Sequence, residues 1–274
     1  MSRKLRPISR IALAIAAFAN LAPPAVAQAP SDVVEAQILS GWQEPDGQRV
    51  SGLQLRLAPG WKTYWRVPGD AGIPPQFDWS GSRNLAGVTV QWPRPEIHDI
   101  NGMRSIGYSG TVVLPLQVEA NDPNQPVRLS AEIAMGVCES ICIPVTITVA
   151  GQLEGAGRFD ARIDDAIRTR PRRPDGGGQR QVTCEVSPIR DGMALRATIN
   201  LPQLGGDEAV VIEPSDPRIW VSEPITNRSG NLLEAEAELV PPSAKPFALD
   251  RSTVRFTVIG AGDAVEIMGC KAGG

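Results

Sequence analysis

The stretch Gly136-Val137-Cys138-Glu139-Ser140-Ile141-Cys142-Ile143-Pro144 holds the residues best suited to chemistry. Two cysteines with three residues between them can be bridged across a tight hairpin. In the reduced state one of them, as thiolate, can attack a partner disulfide, and the other can resolve the mixed disulfide that forms. Cys184 and Cys270 complete a count of four, which in an oxidising compartment reads as disulfides with three connectivities. Spacing favours Cys138 with Cys142 and Cys184 with Cys270. Closing the short ring stabilises by about 2 kcal/mol, whereas closing the long loop gives roughly 4.6 kcal/mol on the chain-entropy formula. The distal bridge is therefore expected to be a staple. The near pair contributes little as a staple, and spacing alone leaves thiol-disulfide exchange and a small structural disulfide both open. No Lys or Arg flanks the near pair in sequence, and Glu139 opposes a thiolate, as suits a thiol protected until a partner docks.

Other residue types exclude more than they suggest. A single histidine, His98, removes Ser-His-Asp hydrolases and multi-His zinc enzymes. His98 itself reads as a surface or loop residue rather than a catalytic base. Met135, Cys138 and Cys142 are soft donors close in sequence, which keeps Cu(I) handling as a competing reading. Trp61, Tyr64 and Trp65 read as sandwich core and edge packing rather than a binding platform. Gly260-Ala261-Gly262 precedes a strand-like segment, not a helix, so it is not a dinucleotide loop. Asp164-Asp165 reads as helix surface, and Asn227-Arg228-Ser229 as an unused glycosylation acceptor. No cofactor or resident metal is implied, and a net charge of -3 gives no footprint for nucleic acid.

The N-terminus reads as an export signal. Arg3, Lys4, Arg6 and Arg10 precede the apolar run Ile11 to Leu21, and Ala25-Val26-Ala27 offers a small-x-small cleavage site. Residues 1–27 are expected to be removed, leaving a more acidic chain in a periplasm, with no stable membrane insertion.

The elements that must hold the cysteines are strands. The 25 prolines among 274 residues, about twice the ~5% usual in proteins, are spread along the chain, which suits short strands and turns. Val50 to Leu57, Thr63 to Val67, Val88 to Trp92, Thr111 to Val118, Val127 to Met135 and Ile143 to Val149 alternate and are bounded by turn residues. Arg158 to Arg170 carries Phe159, Ile163, Ala166 and Ile167 at helical spacing, and Pro171, Pro174 and Gly176 to Gly178 give a flexible join. About seven further strands follow from Val182 to Met268. The expectation is an all-β protein: two immunoglobulin-like antiparallel β-sandwiches, 28–152 and 181–274, joined by a short helix and Pro/Gly-rich linker at 153–180.

Several runs of residues carry a resemblance. They are Gly60 to Arg66, Pro68 to Pro75, Phe77-Asp78-Trp79, Gly107-Tyr108, Val113 to Leu116, Val137-Cys138 and Cys142-Ile143-Pro144. Together they resemble the N-terminal periplasmic domain of the disulfide reductase DsbD family, in its ScsB-like (suppressor of copper sensitivity) branch. The resemblance implies an immunoglobulin-like fold whose cysteine pair, here Cys138 and Cys142, takes electrons from a membrane-embedded reductase and passes them to oxidised thioredoxin-like periplasmic proteins. It also implies that partners reach Cys142. The cysteine spacing is shorter than in DsbD, and Glu96 to Ile106 shows no match to its aromatic cap loop. DsbD continues into a transmembrane carrier and a thioredoxin-like domain, whereas this sequence reads as a stand-alone protein-disulfide oxidoreductase component, its membrane reductase acting in trans. The alternatives are a Cu(I)-binding copper-tolerance protein and a redox-inert immunoglobulin-like binding module.

Overall fold

Strand-forming runs with period-two burial dominate the computed structural model, which describes residues 32–69, 72–100, 103–174 and 181–273. The expected signal segment lies outside these residues.

The first sandwich comprises β1 (Val34–Gln43), β2 (Arg49–Leu57), β3 (Lys62–Gly69), β4 (Gln76–Asp78), β5 (Leu85–Val90), β6 (Glu96–Ile100), β7 (Met103–Ser109), β8 (Thr111–Ala120), β9 (Val127–Cys138) and β10 (Cys142–Leu153). One sheet runs β1-β2-β8-β5 and the other β10-β9-β3-β7-β6, with β4 also paired to β9. All the strand pairs of these two sheets are antiparallel. Leu53, Leu55, Leu114 and Leu116 meet Trp65, Leu129, Ile133 and Met135 between the sheets, all fully buried. Each large apolar side chain so buried contributes about 1.5–3 kcal/mol, which makes this layer the main source of cohesion.

Alternation alone would leave one face of β2 wet, yet nearly every residue of it is buried. The cover is the helix α1 (Ala161–Arg168), capped by the Asp160 carboxylate, which accepts from the Arg162 amide. Ile163 of α1 fills the space over Gly52, where a Cβ would come within 2.9 Å of its Cγ1. The helix expected at 158–170 is thus confirmed in a shorter form.

The second sandwich comprises β11 (Val182–Ile189), β12 (Gly192–Asn200), β13 (Ala209–Glu213), β14 (Trp220–Val221), β15 (Ile225–Ser229), β16 (Leu232–Val240), β17 (Arg255–Ile259), β18 (Ala264–Met268) and β19 (Lys271–Ala272). Its larger sheet runs β14-β16-β12-β11-β19, with β15 also on β16, and faces the smaller sheet β13-β17-β18. Cys184 of β11 is bridged to Cys270, and β19 then pairs with β11 in parallel, so the bridge ties both ends of this sandwich together.

The small sheet is buried on both sides. Val210, Ile212, Phe256, Val258, Val265 and Ile267 fill the second core, whereas Ala209, Val211, Ile259 and Ala264 join the core of the first sandwich. Its strands accordingly show continuous burial rather than alternation. The polar members of the same outward face, Glu213, Thr257 and Glu266, receive Arg66 from β3. The guanidinium bonds both Glu213 carboxylate oxygens at 2.9 Å and Glu266 at 3.0 Å, and lies 3.8 Å from the Trp65 ring centroid.

The linker departs from expectation. Before the glycine run, which lies outside the described residues, it is fastened to β18 rather than loose. The Arg172 amide donates to the Ala264 carbonyl at 2.8 Å and its carbonyl accepts from the Glu266 amide at 2.8 Å. Arg172 also pairs with Asp263 and Arg173 with Glu266. Backbone edge bonding outweighs the turn-forming tendency of Pro171 and Pro174.

Candidate functional site: a disulfide beside a buried phenol

Strands β9 and β10 pair through twelve consecutive residues, ending at Cys138 opposite Cys142. The ladder holds this hairpin together, so the bond between the two sulfurs closes a ring that is already formed. Glu139, Ser140 and Ile141 make the turn, where the Glu139 amide donates to the Ile141 carbonyl at 3.2 Å. The two cysteines differ in access. Cys138 is 3% exposed, whereas Cys142 is exposed and follows Ile141, itself 66% exposed.

Strand β3 supplies the surroundings. It meets β9 with Lys62 opposite Cys138 and Thr63 opposite Val137. Directly opposed residues share a face, so Lys62, Tyr64 and Cys138 project to one side of the sheet, and Thr63, Trp65 and Val137 to the core. The Tyr64 hydroxyl lies 2.6 Å from Cys138 Sγ and 3.1 Å from Cys142 Sγ. Burial pushes the phenol above its ordinary value, so at neutral pH it keeps its proton and donates to sulfur.

Glycines make room for that ring. A Cβ on Gly136 would lie 2.9 Å from Tyr64 Cε2 and from Ile73 Cβ, and one on Gly72 would lie 2.7 Å from Tyr64 Cδ1 and 2.2 Å from Pro68 Cβ. Ile73 is tied down by its carbonyl, which accepts from the Gly136 amide at 3.2 Å. Tyr64 is thus clasped between Gly136 on β9 and the segment after β3.

The single histidine lies on β6, paired with Ser105 of β7, and not on a loop. Burial, then the charge of Lys62, hold His98 below its ordinary value against the opposing pull of Glu96, so the ring is neutral at pH 7. Its Nε2 lies 3.5 Å from a Glu96 carboxylate oxygen.

These positions revise several expectations. Lys62 is the cation that the local sequence lacked, brought opposite Cys138 by strand pairing. Tyr64 is not mere packing: of the three aromatics, Trp65 is core and Trp61 packs against it, but Tyr64 serves the sulfurs. The alternation of Lys62 and Tyr64 against Thr63 and Trp65 was the available signal. Met135 does not join the sulfurs. Three residues from Cys138 on a strand, it faces the core, with its Sδ 3.5 Å from the Thr63 hydroxyl. The soft-donor set of the copper reading is therefore split across the two faces of one sheet.

Immunoglobulin-like sandwiches carrying a cysteine bridge at the mouth of a hairpin, one sulfur exposed and one buried against a phenol, define a protein with a surface disulfide set in a rigid β scaffold. Residues 33–153 match the family described as "Thiol:disulfide interchange protein DsbD, N-terminal". The chain also shares its fold with the crystal structure of the N-terminal periplasmic domain of ScsB from Proteus mirabilis. That likeness has a TM-score of 0.61 and 21% identity, covering 88% of this chain and 92% of that one. No curated protein matches. Among the described residues no helix is long and apolar enough to cross a membrane.

Proposed function

We propose that the chain is a periplasmic thiol-disulfide interchange module, in which Cys138 and Cys142 relay electrons from a separate membrane-embedded thiol reductase to oxidised thioredoxin-like proteins. The observation that carries this reading is the unequal pair of sulfurs sharing one phenol, Cys142 exposed and Cys138 buried at 2.6 Å from the Tyr64 hydroxyl. The match of residues 33–153 to the DsbD N-terminal family supports it.

The steps follow from access. A thiolate of the donor attacks Cys142 Sγ, the Cys138–Cys142 bond breaks, and Cys138 leaves as a thiolate that accepts a hydrogen bond from Tyr64 and faces Lys62 across the strands. A better-stabilised leaving thiolate leaves faster. Cys138 then takes a proton while the donor's second thiolate attacks its own sulfur in the mixed disulfide, releasing Cys142. The donor has lost two electrons and the pair has gained them. In the second half, the Cys142 thiolate attacks the partner disulfide, one partner sulfur departs and is protonated, and Cys138 resolves the mixed disulfide. The partner's second thiol is freed and the Cys138–Cys142 bond re-forms.

Trapping tests this reading. In Cys138→Ser, Cys142 has no resolving thiol, so the protein should accumulate as a mixed disulfide with its periplasmic partner, absent in the double Cys138→Ser/Cys142→Ser variant. If Cys142→Ser trapped a partner and Cys138→Ser did not, the assignment of the attacking sulfur would be wrong. Trapping by neither variant, with normal turnover in both, would make the bridge structural.

A further inference from the structure

The turn that carries the exposed sulfur departs from ordinary turn chemistry. Turns favour Gly, Pro, Asn, Asp and Ser, yet the turn between β9 and β10 ends in Ile141, which is 66% exposed and packs in neither core. It is one of six large apolar residues exposed among the described residues, and Ile73, 41% exposed, is another beside the same bridge. Glu139 to Cys142 are all exposed, and so is Pro144, so the sulfur sits on a hairpin end open to solvent. Pro144 lies two residues beyond Cys142 on β10 and shares its face. It opposes Gly136, and the Cβ of Ile73 lies 2.9 Å from where a Gly136 Cβ would be.

The charges near the bridge stand on the other flank. The order β10-β9-β3 puts Cys142 on one side of β9 and Lys62 on the other. The Glu139 side chain leans the same way as Lys62. A Cβ on Gly60, just before β3, would lie 3.2 Å from its Oε1 and 3.4 Å from its Cγ. Cys142 is thus bordered by Ile141, Pro144 and Ile73, while Glu139 and Lys62 lie across β9 from it.

We infer that Ile141, Pro144 and Ile73 form the apolar rim on which the folded, thioredoxin-like protein that exchanges its disulfide at Cys142 is seated, and that Ile141 is its central contact. The inference rests on the interchange reading for the identity of that protein. Exchange at Cys142 brings the partner's sulfur to bonding distance, ~2.0 Å, so the surface that carries it must meet the residues next to Cys142. A small disulfide such as that of glutathione reaches Cys142 Sγ and leaves Ile141 and Pro144 in water. A protein surface buries them, and burying apolar area is favourable. A charge set against Ile141 would lose water without gaining a partner. The rim therefore selects folded proteins whose own disulfide lies in uncharged, apolar surface over small disulfides. The covalent steps are those already written, and the rim adds non-covalent contact alone.

The test compares a protein thiol with a small one. Reduced thioredoxin and reduced glutathione are each mixed with the oxidised protein, the reverse of the proposed direction, which passes through the same mixed disulfide at Cys142. Ile141→Ser carries no charge and suits a turn. It should slow thioredoxin about 10-fold, as for a contact at the centre of an interface, and leave the glutathione rate and the melting temperature as they were. Ile225→Ser, at an apolar residue 80% exposed on β15 of the second sandwich, should change neither rate. Ile141→Lys and Ile141→Asp should both slow thioredoxin, each measured against its own glutathione rate. Slowing by one with acceleration by the other would mark charge steering and overturn the apolar rim. Equal effects of Ile141→Ser on both thiols, no effect on either, or slowing of thioredoxin by Ile225→Ser as large as by Ile141→Ser would also overturn it, with the interchange reading left standing. A bridge that reacts with neither thiol in the parent protein would overturn the interchange reading and the rim with it.

Discussion

Replacing Tyr64 with phenylalanine removes one oxygen and little else, because the ring stays clasped by Gly136 and Gly72. The lost group is the donor at 2.6 Å and 3.1 Å from the two sulfurs. A hydrogen bond to a charged acceptor is worth about 1.5–3 kcal/mol and one to a neutral acceptor about 0.5–1.5, so the phenol favours thiolate over thiol by roughly 1–1.5 kcal/mol. At ~1.4 kcal/mol per tenfold, the variant loses about 5- to 12-fold of its thiolate population where the thiol form dominates. Nucleophilicity rises as the thiolate is less stabilised, with a Brønsted exponent near 0.4–0.5, and returns roughly 2- to 3-fold. The net expectation is a rate with glutathione disulfide about 2- to 4-fold below the parent at neutral pH. The deficit should shrink as pH rises and reverse to a small excess once both proteins are fully thiolate. Burial pushes the phenol above its ordinary value, so it keeps its proton at neutral pH and donates to the thiolate there. Stopped-flow rates from pH 6 to 9.5 decide the matter. A ratio of rates constant across that range would refute a role for Tyr64 in stabilising thiolate, and an unchanged rate at every pH would refute any role in exchange.

Three further outcomes are expected. Cys184→Ser should cost about 2–5 kcal/mol of unfolding free energy in denaturant titration, as for a structural disulfide, and leave the exchange rate intact at temperatures where the chain is folded. Arg66→Met removes the cation bonded most closely to both Glu213 and Glu266, whose carboxylates are only 18% and 6% exposed. Breaking such pairs costs about 3–5 kcal/mol, and since Arg255 and Arg173 remain nearby the loss should fall at the lower end of that range, read as a lowered melting temperature. Asp263 is held below the usual carboxylate range mainly by its hydrogen bond from Arg172. That contribution is full above the ordinary carboxylate value near ~4 and is lost as pH falls through the lower folded value. Amide exchange at Arg172 should therefore quicken with acid by more than its intrinsic rate predicts, an excess that Asp263→Asn abolishes at neutral pH by making exchange fast there too.

Local pattern carried much of this molecule. Val127 to Met135 and Leu232 to Leu239 alternate cleanly because each has one wet face, and both are strands almost as drawn. The cysteine pairing was legible from spacing because each bridge joins consecutive cysteines. What escaped was non-local. Glu96 to Ile106 lacks clean alternation and was assigned no strand, yet β6 and β7 pair there and β7 in turn pairs with β3. Lys62 and Tyr64 belong to the site only through the register of β3 on β9, which no window around Cys138 contains. Ala209 to Ile212 and Val254 to Ile259 were legible as strands, but the unbroken apolar run Ala209 to Ile212, the mark of burial on both faces, was read as an ordinary sandwich strand, and Arg255 and Thr257 in the second run hid the same burial.

That doubly covered sheet has a consequence for how the protein can be made. Synthesis delivers the chain from its N-terminus, and the apolar side of the first sandwich that meets Val211, Ile259 and Ala264 is finished before β17 and β18 exist. Until residue 268 has emerged, the earlier sandwich is an open book whose last page is still being written, with apolar surface and the carboxylate-seeking Arg66 turned to solvent. Both cores therefore draw on the last strands, and neither sandwich has its full apolar contact until they arrive. A chain cut short before Arg255 would leave neither half complete.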